Sequence, residues 1–219
     1  MAYQAERQAF ANFKAYLEAN SGLRSEYETA IASVVAEYNT TLRENRFIAG
    51  GAVEVFTAWA MRAAGIDVEH VGPLSAGADL RLTGGEGLSM KAVFVSPPVP
   101  GRRDGRTTNL VNVLGDIANA KWHDATLFVI AGTGLVYADP ELLPDAAITQ
   151  TGGALVVHLE FVLALAASRP EFHCALSIAT KPDRVAADAK VASQAVAYET
   201  VMSKGLTELQ RGFTPPHAR

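Results

Sequence analysis

The sequence predicts one α/β domain with helical flanks, on three observations. Apolar residues recur with a helical period up to Gly65. The period then switches to two, the spacing of a strand with one covered face. Further on, Thr126 to Ala131 form an unbroken apolar run, as a strand covered on both faces requires. The 219 residues are 49% hydrophobic and 19% charged, enough apolar material for a sizeable core and too much for a disordered chain. A chain of this length buries roughly 70% of the surface that its unfolded form exposes.

Phe10, Phe13, Tyr16 and Leu17 lie on one stripe of a helix from Glu6 to Ala19, which Ser21-Gly22 is expected to end. Tyr27, Ile31, Val34, Val35, Tyr38 and Leu42 form a second stripe, on a helix from about Ser25 to Arg46. Gly50-Gly51 should break that pattern before a third helix, Ala52 to Ala64, closed by Gly65. Strands follow at Ile66 to Val71, Gly77 to Leu82 and Leu88 to Val95, the last two joined as a hairpin through Gly84-Gly85. Ser96 to Thr107 is rich in proline and glycine and reads as a loop. A helix from Asn109 to Ala120, strands Thr126 to Ala131 and Leu135 to Ala138, a helix near Gly153 to Ala167, a strand Cys174 to Ile178 and a terminal helix from Asp183 to about Gln210 complete the expectation. It divides the single domain into a helical region (1–49), a core (50–138) and a helical and stranded C-terminal region (139–219).

Several classes are set aside at once. Cys174 is the sole cysteine, which excludes an intramolecular disulfide framework and a cysteine zinc cluster. No apolar run approaches the ~20 residues that span a bilayer. Glu6 and Arg7 stand where a signal peptide needs an apolar segment, so the expected setting is cytoplasmic, with no membrane partner. The formal charge of −4 argues against bulk electrostatic binding of nucleic acid. Gly132-Thr133-Gly134 lacks the Lys and Ser/Thr of a phosphate loop, and Gly-x-Ser-x-Gly is absent. Cys174 reads as a small core residue, and His158 as a satisfied core histidine.

The chemistry-bearing candidates lie between Gly50 and Val95. The helix Ala52 to Ala64 is apolar on nearly every side, yet Glu54 sits inside it. A buried carboxylate is costly unless paired, hydrogen-bonded or bound to a metal; the plainer role is a first-turn charge against the helix dipole. Asp79 occupies an alternating strand, where aspartate has little packing to offer. In the next strand, alternation places Ser89, Lys91 and Val93 on one face, with Met90, Ala92 and Phe94 on the other. The hairpin brings Asp79 and Lys91 together, and a helix packed on that face would present Glu54 to the same spot. Two acids and a lysine form a site for a hard divalent cation and a phosphate.

Gly51-x-x-Glu54, a helix, Gly65-Ile66-x-Val68-Glu69, then Gly77-Ala78-Asp79-Leu80 and Gly87-Leu88-Ser89-Met90-Lys91 resemble the core of the PD-(D/E)XK nuclease superfamily. The likeness is close over Gly50 to Val95 and in outline only from Asn109 to Ala138. It implies a restriction-endonuclease-like core, a central mixed β-sheet flanked by helices, here with two N-terminal helices and a long C-terminal helix. The implied activity is Mg²⁺-dependent hydrolysis of DNA phosphodiester bonds, with Mn²⁺ able to substitute, as in a small type II restriction endonuclease acting on double-stranded DNA as a homodimer. Asp79 and Glu54 would hold the metal with a backbone carbonyl near Met90, and Lys91 would orient or deprotonate the attacking water. Ser89 departs from the pattern, standing where the family has its second acid. Glu54, Asp116 or Asp104 would have to replace that carboxylate. Without a replacement, the chain would be an inactive nuclease-like module that binds nucleic acid or scaffolds a partner. Arg102, Arg103 and Arg106 belong to a stretch, Pro100 to His123, with four Lys/Arg against two Asp. They are either contacts for backbone phosphates or a solvated turn.

Overall fold

In the computed structural model, residues 2–38, 43–71, 78–84, 87–94, 106–112, 121–179 and 192–213 are described. The fold is mixed α/β, with a mixed sheet flanked by helices. Helices α1 (Gln4–Ala19) and α2 (Ser21–Glu37) meet at Asn20, whose amide caps α1 on the Tyr16 carbonyl at 2.9 Å. Ser21-Gly22 therefore starts the second helix instead of terminating the first. That helix stops at Glu37, well short of the expected Arg46.

Helix α3 (Arg43–Ala63) runs through Gly50-Gly51, so the expected break, and the region boundary drawn at 49/50, falls inside a helix. The two glycines differ in their surroundings. Against helix α5 (Ser193–Lys204), a Cβ at position 51 would stand 2.6 Å from Ser193 Oγ and 2.8 Å from its Cβ, whereas one at position 50 would meet nothing within 4 Å. The pair makes a prediction by chemical denaturation. Gly50→Ala stabilises by about 0.5–1 kcal/mol, the usual helix-interior gain. Gly51→Ala loses that gain to overpacking that costs about 1–3 kcal/mol. Two alanine variants of equal stability would overturn the assignment. The C-terminus of α3 matches expectation: Gly65 N–H donates to Arg62 C=O at 2.8 Å and Ile66 N–H to Met61 C=O at 2.9 Å, the paired bonds that close a helix on glycine.

Six strands form the main sheet: β1 (Val68–His70), β2 (Leu80–Leu82), β3 (Gly87–Val93), β5 (Ala125–Ile130), β6 (Gly134–Ala138) and β9 (His173–Ala175), in the order β1-β2-β3-β5-β6-β9. All neighbours are antiparallel except β3 and β5, which run parallel with Ser89 beside Thr126 and Lys91 beside Phe128. Strands β5 and β6 are buried along their whole length, which accounts for their continuous apolar sequence.

A second sheet departs from expectation. Strands β4 (Thr107–Asn112), β7 (Ile148–Thr151) and β8 (Ala154–His158) pair antiparallel in the order β4-β8-β7. The start of the helix expected over Asn109 to Ala120 is thus a strand. Thr107, Thr108 and Val111 are β-branched, which disfavours helix and suits a ladder once β8 is available to pair with. Residues 113–120 lie outside the described ones. The helix expected from Gly153 is strand β8 followed by α4 (Leu159–Ser168). Gly152 and Gly153, with φ of 54° and 88°, supply the two positive-φ positions of a tight β7–β8 hairpin. The terminal helix is interrupted at Gly205 and resumes as α6 (Thr207–Gln210).

Helix α3 is the hub of the helical layer. It packs against β1 and β3 on one side and against α2, α5 and α6 on the others. Val53, Val55, Phe56, Ala58, Trp59, Ala60 and Met61 are accordingly all buried. Thr57 is buried as well, and its hydroxyl is shared between Val53 C=O (2.8 Å) and the Tyr27 phenol of α2 (2.7 Å). No described helix is long and apolar enough to cross a membrane.

Candidate active site

Asp79 stands at the bend that opens β2, and the β-ladder fixes its place. Its N–H donates to Leu88 C=O (3.1 Å), and its carbonyl accepts from Val71 N–H (3.0 Å). The Asp79 carboxylate then reaches across to β3. Oδ2 accepts the Met90 N–H at 2.6 Å and the Ser89 hydroxyl at 3.4 Å. Burial and the like charge of Glu54 push the Asp79 carboxyl above the usual carboxylate range, against the pull of the Lys91 ammonium and of these two hydrogen bonds. Among the described residues Lys91 has no carboxylate within the 4 Å of a direct ion pair, so its ammonium is not locked onto Asp79.

Glu54 comes from the second turn of the buried half of α3. Its side chain is 24% exposed, and Oε2 lies 3.4 Å from His70 Nε2 on β1. His70 is a register partner of Leu80, and Leu80 of Leu88, so these three side chains share a face of the sheet. Ser89 and Lys91 point to the opposite face. Glu54 and Lys91 therefore approach Asp79 from opposite sides of the sheet, where the sequence suggested a helix on the lysine's own face. Asp79 is the residue whose charge feels both.

The arrangement gives each candidate a place. Ser89 is buried and donates to Asp79; a hydroxyl so used props the acid and does not replace a missing one. The Met90 N–H donates to Asp79, which leaves the expected role of the backbone carbonyl near Met90 as it was. Arg106 precedes β4 in the second sheet, its carbonyl accepting the Leu159 N–H that opens α4 (3.0 Å). Arg102, Arg103, Asp104 and Asp116 lie outside the described residues. His70 escaped the sequence reading, because sixteen residues separate it from Glu54 and no periodicity links them.

A divalent cation suits part of this donor set. Asp79 and Glu54 are two carboxylates whose repulsion raises the Asp79 pKa, and a cation between them would relieve it. No group of three or more His, Cys, Asp and Glu among the described residues forms a compact metal cage. Two protein carboxylates with water and substrate oxygens filling the remaining positions is the way Mg²⁺ is commonly held.

Elsewhere, two expectations resolve simply. His158 is half-buried and faces the Thr149 hydroxyl at 3.2 Å. Cys174 is buried, and burial pushes its thiol up to about 11, so it is protonated and unreactive at neutral pH. Compared with family models, with curated proteins and with solved structures, the chain matches none of them.

Proposed function

We propose that this chain is a metal-dependent phosphodiester hydrolase with a restriction-endonuclease-like core, cutting double-stranded DNA as a homodimer. One observation carries the reading: a half-buried aspartate at the junction of a strand hairpin and a buried helix, pushed up in pKa by burial and by a neighbouring glutamate against the pull of a lysine. Perturbed carboxylates of this kind concentrate at reactive sites.

In this mechanism Asp79 and Glu54 would hold Mg²⁺, or Mn²⁺ in its place. The cation, when bound, supplies Lewis acidity toward the phosphate. Ser89 and the Met90 amide keep the Asp79 carboxylate oriented through Oδ2. Lys91, free of an ion pair among the described residues, faces the phosphate and offsets the charge that develops on it; it also orients the attacking water. Arg102, Arg103 and Arg106 contribute phosphate contacts, giving modest and salt-dependent affinity on a chain of net charge −4. Cutting both strands calls for two active sites, hence the homodimer.

The test is incubation of purified protein with plasmid and phage DNA in Mg²⁺ or Mn²⁺. Lys91→Ala should slow cutting by about 10²–10³-fold, as removal of one preorganised electrostatic group does. Metal-dependent cutting that survives in both Lys91→Ala and Asp79→Ala overturns the site. The Ser89 substitution favours a second reading, a nuclease-like module without catalysis; binding of DNA with no cutting by the wild type would establish it.

A further inference from the structure

We infer that His70 is the positioning residue for Glu54, holding its carboxylate at the cation site; this rests on the reading of Glu54 and Asp79 as that site. Nε2 of His70 lies 3.4 Å from Glu54 Oε2. A carboxylate only accepts, so the ring nitrogen facing it carries the proton and donates. The contact restrains the Glu54 carboxylate through Oε2.

Both partners are sheltered, with 18% of the His70 and 24% of the Glu54 side chain exposed, so water competes weakly for the bond. Glu54 is a flexible side chain on a helix, and among the described residues no other hydrogen-bond partner orients it. His70, by contrast, is fixed by the β-ladder. It pairs with Leu80 on β2, and the next rung joins Val71 N–H to Asp79 C=O at 3.0 Å. One stretch of β1–β2 ladder therefore sets the position of Asp79 directly and of Glu54 through the imidazole. Partners behind a ligand in this way commonly govern metal affinity.

The test measures Mn²⁺ binding to the full chain by electron paramagnetic resonance, with no DNA present. His70→Leu fills the strand position but removes the donor, and should weaken Mn²⁺ binding about 10–100-fold. His70→Gln keeps an N–H donor and should stay within about threefold of wild type. Glu54→Gln and Asp79→Asn should weaken binding at least as far as His70→Leu. If both carboxylate variants lose affinity while His70→Leu binds like wild type, or if His70→Gln is as weak as His70→Leu, the His70 role is overturned and the cation site stands. If wild type binds no Mn²⁺, or the carboxylate variants bind it equally well, the site itself falls and His70 with it. Thermal melting without metal confirms that each variant is folded; His70→Phe and His70→Asn repeat the pair if either is not.

Discussion

Asp79→Asn is expected to abolish the proposed metal-dependent DNA cutting and, in the absence of metal, to raise the melting temperature at neutral pH. The first effect should be at least about 10²–10³-fold, because the substitution removes a charge on which the proposed cation depends. The second follows from the direction of the pKa shift. Burial and Glu54 raise the Asp79 carboxyl above its unfolded value. The folded protein therefore holds that proton more tightly, and the stability this contributes is complete below the unfolded pKa. It is lost as pH rises through the folded pKa. Above that window the wild type carries a repelled carboxylate, and asparagine does not. Asparagine still offers a carbonyl oxygen to the Met90 amide. The gain should accordingly appear on raising the pH and vanish in acid.

Metal reverses the ranking. If the proposed site binds Mn²⁺, at 100 times Kd the wild type should gain about 2.7 kcal/mol, on the order of 5–10 °C for a chain of this size; the asparagine variant should gain far less. Thermal melts over a pH series, with and without Mn²⁺, check both halves. A variant less stable than wild type at every pH, with an equal response to metal, would contradict the electrostatic account of Asp79.

The second large effect is on stability alone. Arg7 of α1 makes a two-pronged contact with Asp139 at the end of β6, Nε to Oδ2 at 2.8 Å and Nη2 to Oδ1 at 2.8 Å, and Nη2 also meets Glu141 Oε2 at 2.9 Å. Asp139 is completely buried, and its Oδ1 further accepts the Glu141 N–H at 2.9 Å. Arg7→Ala leaves that carboxylate without its counter-charge. Breaking a buried pair from one side costs about 3–5 kcal/mol; the lower end applies here, since Arg7 is 23% exposed and water can partly replace it. A loss of about 3 kcal/mol corresponds to roughly 6–12 °C in Tm. Asp139→Asn added to Arg7→Ala should recover part of it, because the uncompensated charge is then gone. Denaturant unfolding that shows a loss below about 1 kcal/mol would sink this account.

Much of the site's local placement was legible in the residues. The all-round apolar helix marked α3 as central, and its buried faces follow from Val53, Phe56, Trp59 and Met61. Alternation separated Ser89 and Lys91 from Met90, and the expected hairpin brought the strand of Asp79 beside that of Lys91, as β2 and β3 are paired. The side from which Glu54 arrives was not legible. It depends on which face of β1–β3 the helix covers, and a helix apolar on every side carries no sign of that choice. The role of Ser89 escaped for a related reason: a hydroxyl in a motif reads as a missing ligand until its donor contact to Asp79 is visible.

The two sheets show the same division. Continuous apolar runs at Thr126 to Ala131 and Leu135 to Ala138 are strands in either reading, because nothing else that short fits between two covering layers. Ala154 to Leu165 is apolar except for His158 and Glu160, and there the period alone does not separate a strand followed by a helix from a single helix. Pairing decided it, since β8 has β4 and β7 on its two sides.

The sequence by itself determined what short-range physics controls: the stripes of α1 and α2, the alternation of β2 and the cap at Gly65. It also determined an isolated, inert cysteine. The tertiary structure alone decided which distant segments meet. Gly51 has no room for a side chain because Ser193 lies over it, Glu54 has a partner because β1 ends in His70, and Arg7 pairs with Asp139, 132 residues away. Each of these contacts joins residues from separate elements, and local periodicity constrains only neighbours within a turn or a pleat. The net charge of −4 belongs to the same lesson. As a sum it argues against nucleic acid; resolved into positions, two of its carboxylates converge near a lysine at one end of the sheet.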